Sequence, residues 1–247
     1  MKKIIFTIFL NIFLSSVCLA NDTAKSKRFI ALGHLYPIID DEKRLANLFK
    51  KINSYKPDYV FILGDSKLNE IKYLNRFKDK IKGKIYFSPG NHEVKRFKNE
   101  YKKNIGYLNK VIDDGNVRFI LLDSSDNKKN IINFLKDNLN TEKLVLLLTH
   151  HRIWDDTLMS TKPYQHDKSY YFEEIYPLLK DKVKAIFAGN SKRQHFRDLS
   201  DDMLTYGKQN VNLIFWLDKI GEIDLYSIGM GDGKPKANFM VVDIVKN

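Results

Sequence analysis

Five short segments of this chain concentrate the residue types that bind metals and move protons. They are Gly33-His34, Gly64-Asp65-Ser66, Pro89-Gly90-Asn91-His92-Glu93, Thr149-His150-His151 and Gly189-Asn190-Ser191-Lys192. Four of the six histidines lie in them. One such histidine is more often a packing residue than a ligand. Several strand-end His, Asp and Asn side chains that converge make a metal site, and imidazole nitrogen with carboxylate oxygen suits Zn, Fe or Mn. Lys67, Arg152, Lys192 and Arg193 neighbour the same segments and add positive charge to any cleft they share.

The elements that must position these residues are legible around them. Each segment follows a short apolar run: Phe29–Leu32, Tyr59–Leu63, Lys84–Phe87, Leu144–Leu148 and Val183–Ala188. Further runs span Val117–Leu122, Val211–Leu217, Glu222–Ile228 and Ala237–Val245. Continuous apolar runs of this length predict strands buried on both faces. Between them Leu45, Leu48, Phe49 and Ile52 recur at helical spacing, as do Ile71, Leu74, Phe77 and Ile81. Ile131, Ile132, Phe134 and Leu135 begin a third stripe, and Phe172, Ile175, Tyr176 and Leu179 a fourth. Strand alternating with helix predicts parallel pairing and an α/β class. The last third reads as strand after strand, which predicts antiparallel hairpins at the edge of a second sheet. In α/β sheets chemistry collects at the carboxyl ends of strands, where all five polar segments fall.

In this order the polar turns resemble the calcineurin-like metallophosphoesterase superfamily, whose pattern is D-x-H, G-D, G-N-H-[ED], H and G-H-x-H. Gly90-Asn91-His92-Glu93 is the strongest single match, and the likeness runs from Phe29 to about Val245. It implies a four-layer α-β-β-α sandwich of two mixed sheets. Two departures stand out. Leu32 occupies the place of the first Asp, and Gly189-Asn190-Ser191-Lys192 stands where the family has G-H-x-H. Of the family's seven metal ligands, His34, Asp65, Asn91 and His150 remain, while Leu32, Asn190 and Lys192 replace the others. The losses fall mainly on one of the two family metals, which keeps only His34 and Asp65. The other keeps Asp65, Asn91 and His150, with the Asn190 carbonyl as a fourth ligand. An ammonium about 4 Å from a cation opposes it by roughly 4 kcal/mol per unit charge at an effective dielectric near 20. The expectation is therefore one divalent ion (Zn, Mn or Fe) or none.

The resemblance implies hydrolysis of a phosphate mono- or diester, with His92 acting on the leaving group. Lys192 and Arg152 would meet phosphate oxygens as fixed positive charges. The alternative is an inactive relative that binds an anionic ligand or partner in the basic cleft. A serine hydrolase built on Gly64-Asp65-Ser66 fits less well, because the block follows the second strand and His195 has no Asp three residues before it. Trp154, Tyr164, Tyr170, Tyr171 and Trp216 form either an aromatic rim or ordinary packing. His166 and His195 lie in polar stretches and read as solvated.

Composition bounds the partners. The chain has 247 residues, 42 Lys and Arg against 30 Asp and Glu, and a net charge of +12. Such an excess favours anionic partners such as phosphates, acidic polysaccharide, phospholipid head groups or nucleic acid, and the resemblance implies an anionic small-molecule or polymeric phosphoester among them. Lys2-Lys3, the apolar run Ile4–Val17 and Cys18-Leu19-Ala20 have the pattern of a secretory signal peptide cleaved after Ala20. That predicts a single domain over residues 21–247, exported to the periplasm or medium, with no stable membrane anchor and with nucleic acid an improbable partner. Cleavage would remove the only cysteine, Cys18, consistent with an oxidising compartment.

Overall fold

The computed structural model describes residues 27–154, 171–189, 215–228 and 239–244. Ten strands are present among them. The first sheet comprises β1 (Lys27–Leu32), β2 (Tyr59–Leu63), β3 (Lys84–Ser88) and β10 (Met240–Ile244), ordered β10-β1-β2-β3. The pairs β1–β2 and β2–β3 are parallel, and β10 closes the edge antiparallel to β1. The second sheet comprises β4 (Lys110–Asp114), β5 (Val117–Leu122), β6 (Leu144–Thr149), β7 (Val183–Ala188), β8 (Phe215–Ile220) and β9 (Ile223–Ile228). Its order is β4-β5-β6-β7-β9-β8, with antiparallel hairpins at both edges and parallel pairing between.

The alternation of side chains along each strand decides the layering. Phe29, Ala31, Phe61 and Leu63 of the first sheet face Phe119, Leu121, Leu148 and Phe187 of the second. Phe29 packs edge-on against Phe61, Phe119 and Phe187 at 5.7, 5.6 and 5.3 Å between ring centroids. The opposite face of the first sheet, with Ile30, Leu32, Val60 and Ile62, is covered by α1 (Glu42–Ser54), α2 (Ile71–Lys80) and Tyr101 of α3 (Asn91–Ile105). The opposite face of the second sheet is covered by α4 (Lys128–Asn138), a π-helical turn at Tyr171–Ile175 and α5 (Tyr176–Leu179). The result is the expected α-β-β-α sandwich of two mixed sheets.

The helical stripes hold with two adjustments. In α1 the buried residues are Leu45, Leu48, Phe49 and Ile52, as their spacing predicts, and Asp41 caps the helix by accepting the Arg44 N–H. In α2 Ile71 is 54% exposed, and Tyr73 takes its place in the core. In the fourth stripe Phe172 is exposed and Tyr171 is buried, because the segment begins as a π-turn that rotates the face. Strand β10 departs from the expected second-sheet edge and returns to the first sheet. Among the described residues no helix is long and apolar enough to cross a membrane.

Candidate metal centre

The carboxyl ends of β1, β2, β3, β5 and β6 point to one edge of the sandwich, and each carries a polar residue there. The first ends in Gly33-His34, and the His34 N–H donates to the Gly64 carbonyl at 3.0 Å. The second ends in Gly64-Asp65, with φ values of 76° and 50°, and His34 and Lys67 have φ values of 55° and 54°. Three non-glycine residues in the left-handed region, each costing on the order of 1 kcal/mol, bend the loops around this point. After β3 the chain enters α3 at once, so Asn91, His92 and Glu93 occupy its first turn.

Two glycines let these turns approach. A Cβ on Gly90 would stand 2.2 Å from Asp65 Oδ1, and one on Gly64 would stand 2.5 Å from His150 Nδ1. Glu93 then locks the turns together. Its fully buried carboxylate accepts the backbone N–H groups of Asp65 at 2.9 Å, Ser66 at 2.5 Å and Gly90 at 2.9 Å. Burial and the neighbouring Asp65 push the Glu93 carboxyl up from its ordinary range, and the backbone donors oppose that shift.

Asp65 sits at the centre. One carboxylate oxygen accepts the His92 N–H at 3.2 Å. The other, Oδ2, lies 3.3 Å from His34 Nδ1 and 3.3 Å from His150 Nε2. Asp65 is 0% exposed and His150 is 0% exposed, and none of these three atoms has a hydrogen-bond partner. The two imidazole planes lie within 8° of parallel. His150 Nδ1 stands 2.9 Å from the Leu63 carbonyl, which can only accept, so that nitrogen carries the proton. In the neutral ring Nε2 then presents a lone pair to a carboxylate oxygen. Two lone pairs at that distance repel unless a proton or a cation stands between them.

That arrangement fits a metal ion. Metal-ligating histidines commonly donate their other ring N–H to a backbone carbonyl, as His150 does. Ligands about 2.1 Å from a tetrahedral ion lie about 3.4 Å apart, close to the observed 3.3 Å edges, and all three ligand atoms lie within 4.8 Å of one another. The charge pattern agrees. Burial pushes the Asp65 carboxyl up, but the positive charge of His150 and His34 outweighs it and holds the group well below the carboxylate range. Burial lowers His150, and Asp65 outweighs that and raises it.

The other expected residues fall as follows. His92 is on the open side, its side chain 51% exposed and Nε2 3.9 Å from Asp65 Oδ2. Asn91 pairs through Oδ1 with His151 Nε2 at 3.2 Å, and His151 Nδ1 meets Ser124 Oγ at 2.9 Å. Arg152 is 1% exposed. Lys67 is tied to Asp40 at 2.5 Å. Ser66 Oγ is buried and donates to the Gly64 carbonyl at 3.0 Å, which leaves no serine nucleophile there. Leu32 is buried in the apolar cluster beneath the helices. Trp154 and Tyr171 are core residues rather than a rim. Asn190, Lys192, Arg193, His166, His195, Tyr164 and Tyr170 lie outside the described residues.

Sequence reasoning gave no role to Glu93, to His151 or to Asp123-Ser124-Ser125 at the end of β5. The last segment had the same signal as the others, a polar cluster directly after an apolar run. Buried Asp123 accepts the Ser125 N–H at 2.9 Å, and burial raises its carboxyl to about 6.

Comparison with known proteins agrees with this geometry. Residues 34–216 match the family model of the calcineurin-like phosphoesterases. A dimetal phosphatase from Danio rerio shares the fold, with a TM-score of 0.50 and 11% identity over 83% of this chain and 87% of that one. A phosphopantetheinyl hydrolase from Mycobacterium tuberculosis gives a TM-score of 0.51 and 11% identity over 88% of this chain and 96% of that one. At these identities the likeness concerns the fold alone. No curated protein matches the sequence.

Proposed function

The chain belongs to the calcineurin-like phosphoesterase family, and on that premise we propose that it is an exported hydrolase of phosphate mono- or diesters working with one divalent ion. The observation that carries this reading is the meeting of three buried, unpartnered ligand atoms, His34 Nδ1, Asp65 Oδ2 and His150 Nε2, beside a solvent-facing His92. His34, Asp65 and His150 would hold the ion, with Asn91 adjacent in the first turn of α3. A bound divalent ion supplies positive charge against phosphoryl oxygens and acidifies water. Glu93 holds the two loops in register. His92, solvent-facing with Nε2 3.9 Å from Asp65 Oδ2, would give the departing oxygen its proton. Lys192 contributes a positive charge toward a phosphate oxygen, in place of a family histidine. Export rests on the basic, apolar and small-residue pattern of residues 2–20.

One observation favours the second reading, a non-catalytic relative that binds an anionic ligand. Leu32, at the family's first Asp, is packed in the core, which removes a carboxylate from the centre. Two measurements decide. Elemental analysis of the purified mature chain should give about one Zn, Mn or Fe per molecule. His92→Ala should keep that ion while losing 10²–10⁴-fold in hydrolysis of an alkyl phosphate, and less on an activated aryl phosphate whose leaving group needs little protonation. A metal-loaded wild-type chain inert on both esters supports the non-catalytic reading.

A further inference from the structure

Among the described residues around Asp65, the one with a largely exposed side chain is His92, and its ring does not stand alone. Tyr36 packs on it with ring centroids 5.0 Å apart and planes tilted by 55°. Tyr36 is half-buried, and its backbone N–H donates to the Asp65 carbonyl at 3.1 Å, which pins it to the loop bearing the central carboxylate. Lys67 Nζ lies 5.6 Å from the Tyr36 ring centroid and 5.3 Å from that of Tyr73. The same ammonium is held by Asp40, which also accepts the Tyr73 hydroxyl. Tyr36 is therefore a fixed aromatic wall at the open side of the centre.

We propose that Tyr36 is a specificity-determining residue that selects phosphoesters whose alcohol carries an aromatic ring. The proposal rests on the hydrolytic reading of the centre given above. With the phosphoryl group on an ion that Asp65, His34 and His150 would hold, the alcohol oxygen would leave on the side of His92, the solvent-facing side of the centre. The Tyr36 ring packs on His92 at that side. An aromatic alcohol meets it in an offset or edge-on contact, as aromatic pairs prefer, and an alkyl alcohol forgoes that contact.

The test compares phenylphosphonate with methylphosphonate, which bind as phosphates do but lack a bond to hydrolyse. Their affinities are measured by calorimetry on the manganese-loaded full chain and on Tyr36→Ser and Tyr36→Phe. An aromatic contact of ordinary strength predicts a roughly three- to tenfold preference for the phenyl compound in wild type. Tyr36→Phe should keep the preference, and Tyr36→Ser should reduce it to near unity while leaving methylphosphonate binding within about twofold. A merely structural Tyr36 would move both affinities together. Equal affinities in wild type, binding of neither phosphonate, or an undiminished preference in the serine variant overturns the proposal. Phenyl phosphate turnover is followed in parallel. Ring preference without turnover overturns the hydrolytic reading and leaves the aromatic subsite standing.

Discussion

Asp123 is a buried carboxyl outside the ligand set. Its carboxyl, raised to about 6 from an ordinary 3.8, holds a proton in the folded chain at pH values where the unfolded chain has released it. Between about pH 4 and pH 6 the folded state binds more protons at this position, so its contribution to stability falls as pH rises through that window. At about 1.4 kcal/mol per unit the loss is on the order of 2–3 kcal/mol once both states are ionised. Asp123→Asn keeps an acceptor for the Ser125 N–H and removes the titration. Urea unfolding at pH 4.5 and pH 7.5 should show wild type losing ground to the variant at the higher pH. An identical pH dependence for both proteins would show that Asp123 is ionised throughout.

Single elements of the fold were legible in proportion to how much of their environment was apolar. The strand interiors β1, β2, β5, β6 and β7 and the four buried positions of α1 follow from hydrophobic runs and spacing alone. Strand β4 was missed because Lys110–Asp114 is short, charged and half-solvated at a sheet edge. The Asp114-Gly115 pair, with Gly115 at φ 60°, was the hairpin signal that marks it. The ligand cluster was legible as polar strand ends, but which ends meet was not. His34 reads as a remnant of the depleted half of the family's ligand set, yet it stands with Asp65 and His150, because the left-handed turns at His34 and Asp65 bring those side chains together. At this scale Gly90→Ala is the informative change. Its Cβ would fall 2.2 Å from Asp65 Oδ1 and 2.4 Å from Asp65 N, so the β3–α3 turn or the β2 loop must shift. Overpacking of this kind typically costs about 1–3 kcal/mol. Gly90→Ala should lower the denaturation midpoint and weaken manganese binding together. A stability loss with metal affinity unchanged would mean that the shift is absorbed away from Asp65.

Across the whole molecule the candidate centre joins the two sheets. His34 and Asp65 follow β1 and β2 of the first sheet, and His150 follows β6 of the second. Both sheets already share a packed interface, so an ion bound by all three ligands adds a clamp at its carboxyl edge. Ligand binding to the folded state alone stabilises by about 2.7 kcal/mol at a hundredfold excess over the dissociation constant. For a domain of this size 1 kcal/mol moves the melting temperature by roughly 2–4 °C. Manganese or zinc at that excess should therefore raise the midpoint by about 5–11 °C, and a chelator should return it to the metal-free value. His150→Ala and His34→Ala each remove one strand of the clamp from a different sheet, and each should abolish most of the rise. Calorimetric melting with and without metal checks this directly. A rise that survives in His34→Ala but vanishes in His150→Ala would place the ion on Asp65, Asn91 and His150 instead, without a ligand from the end of β1.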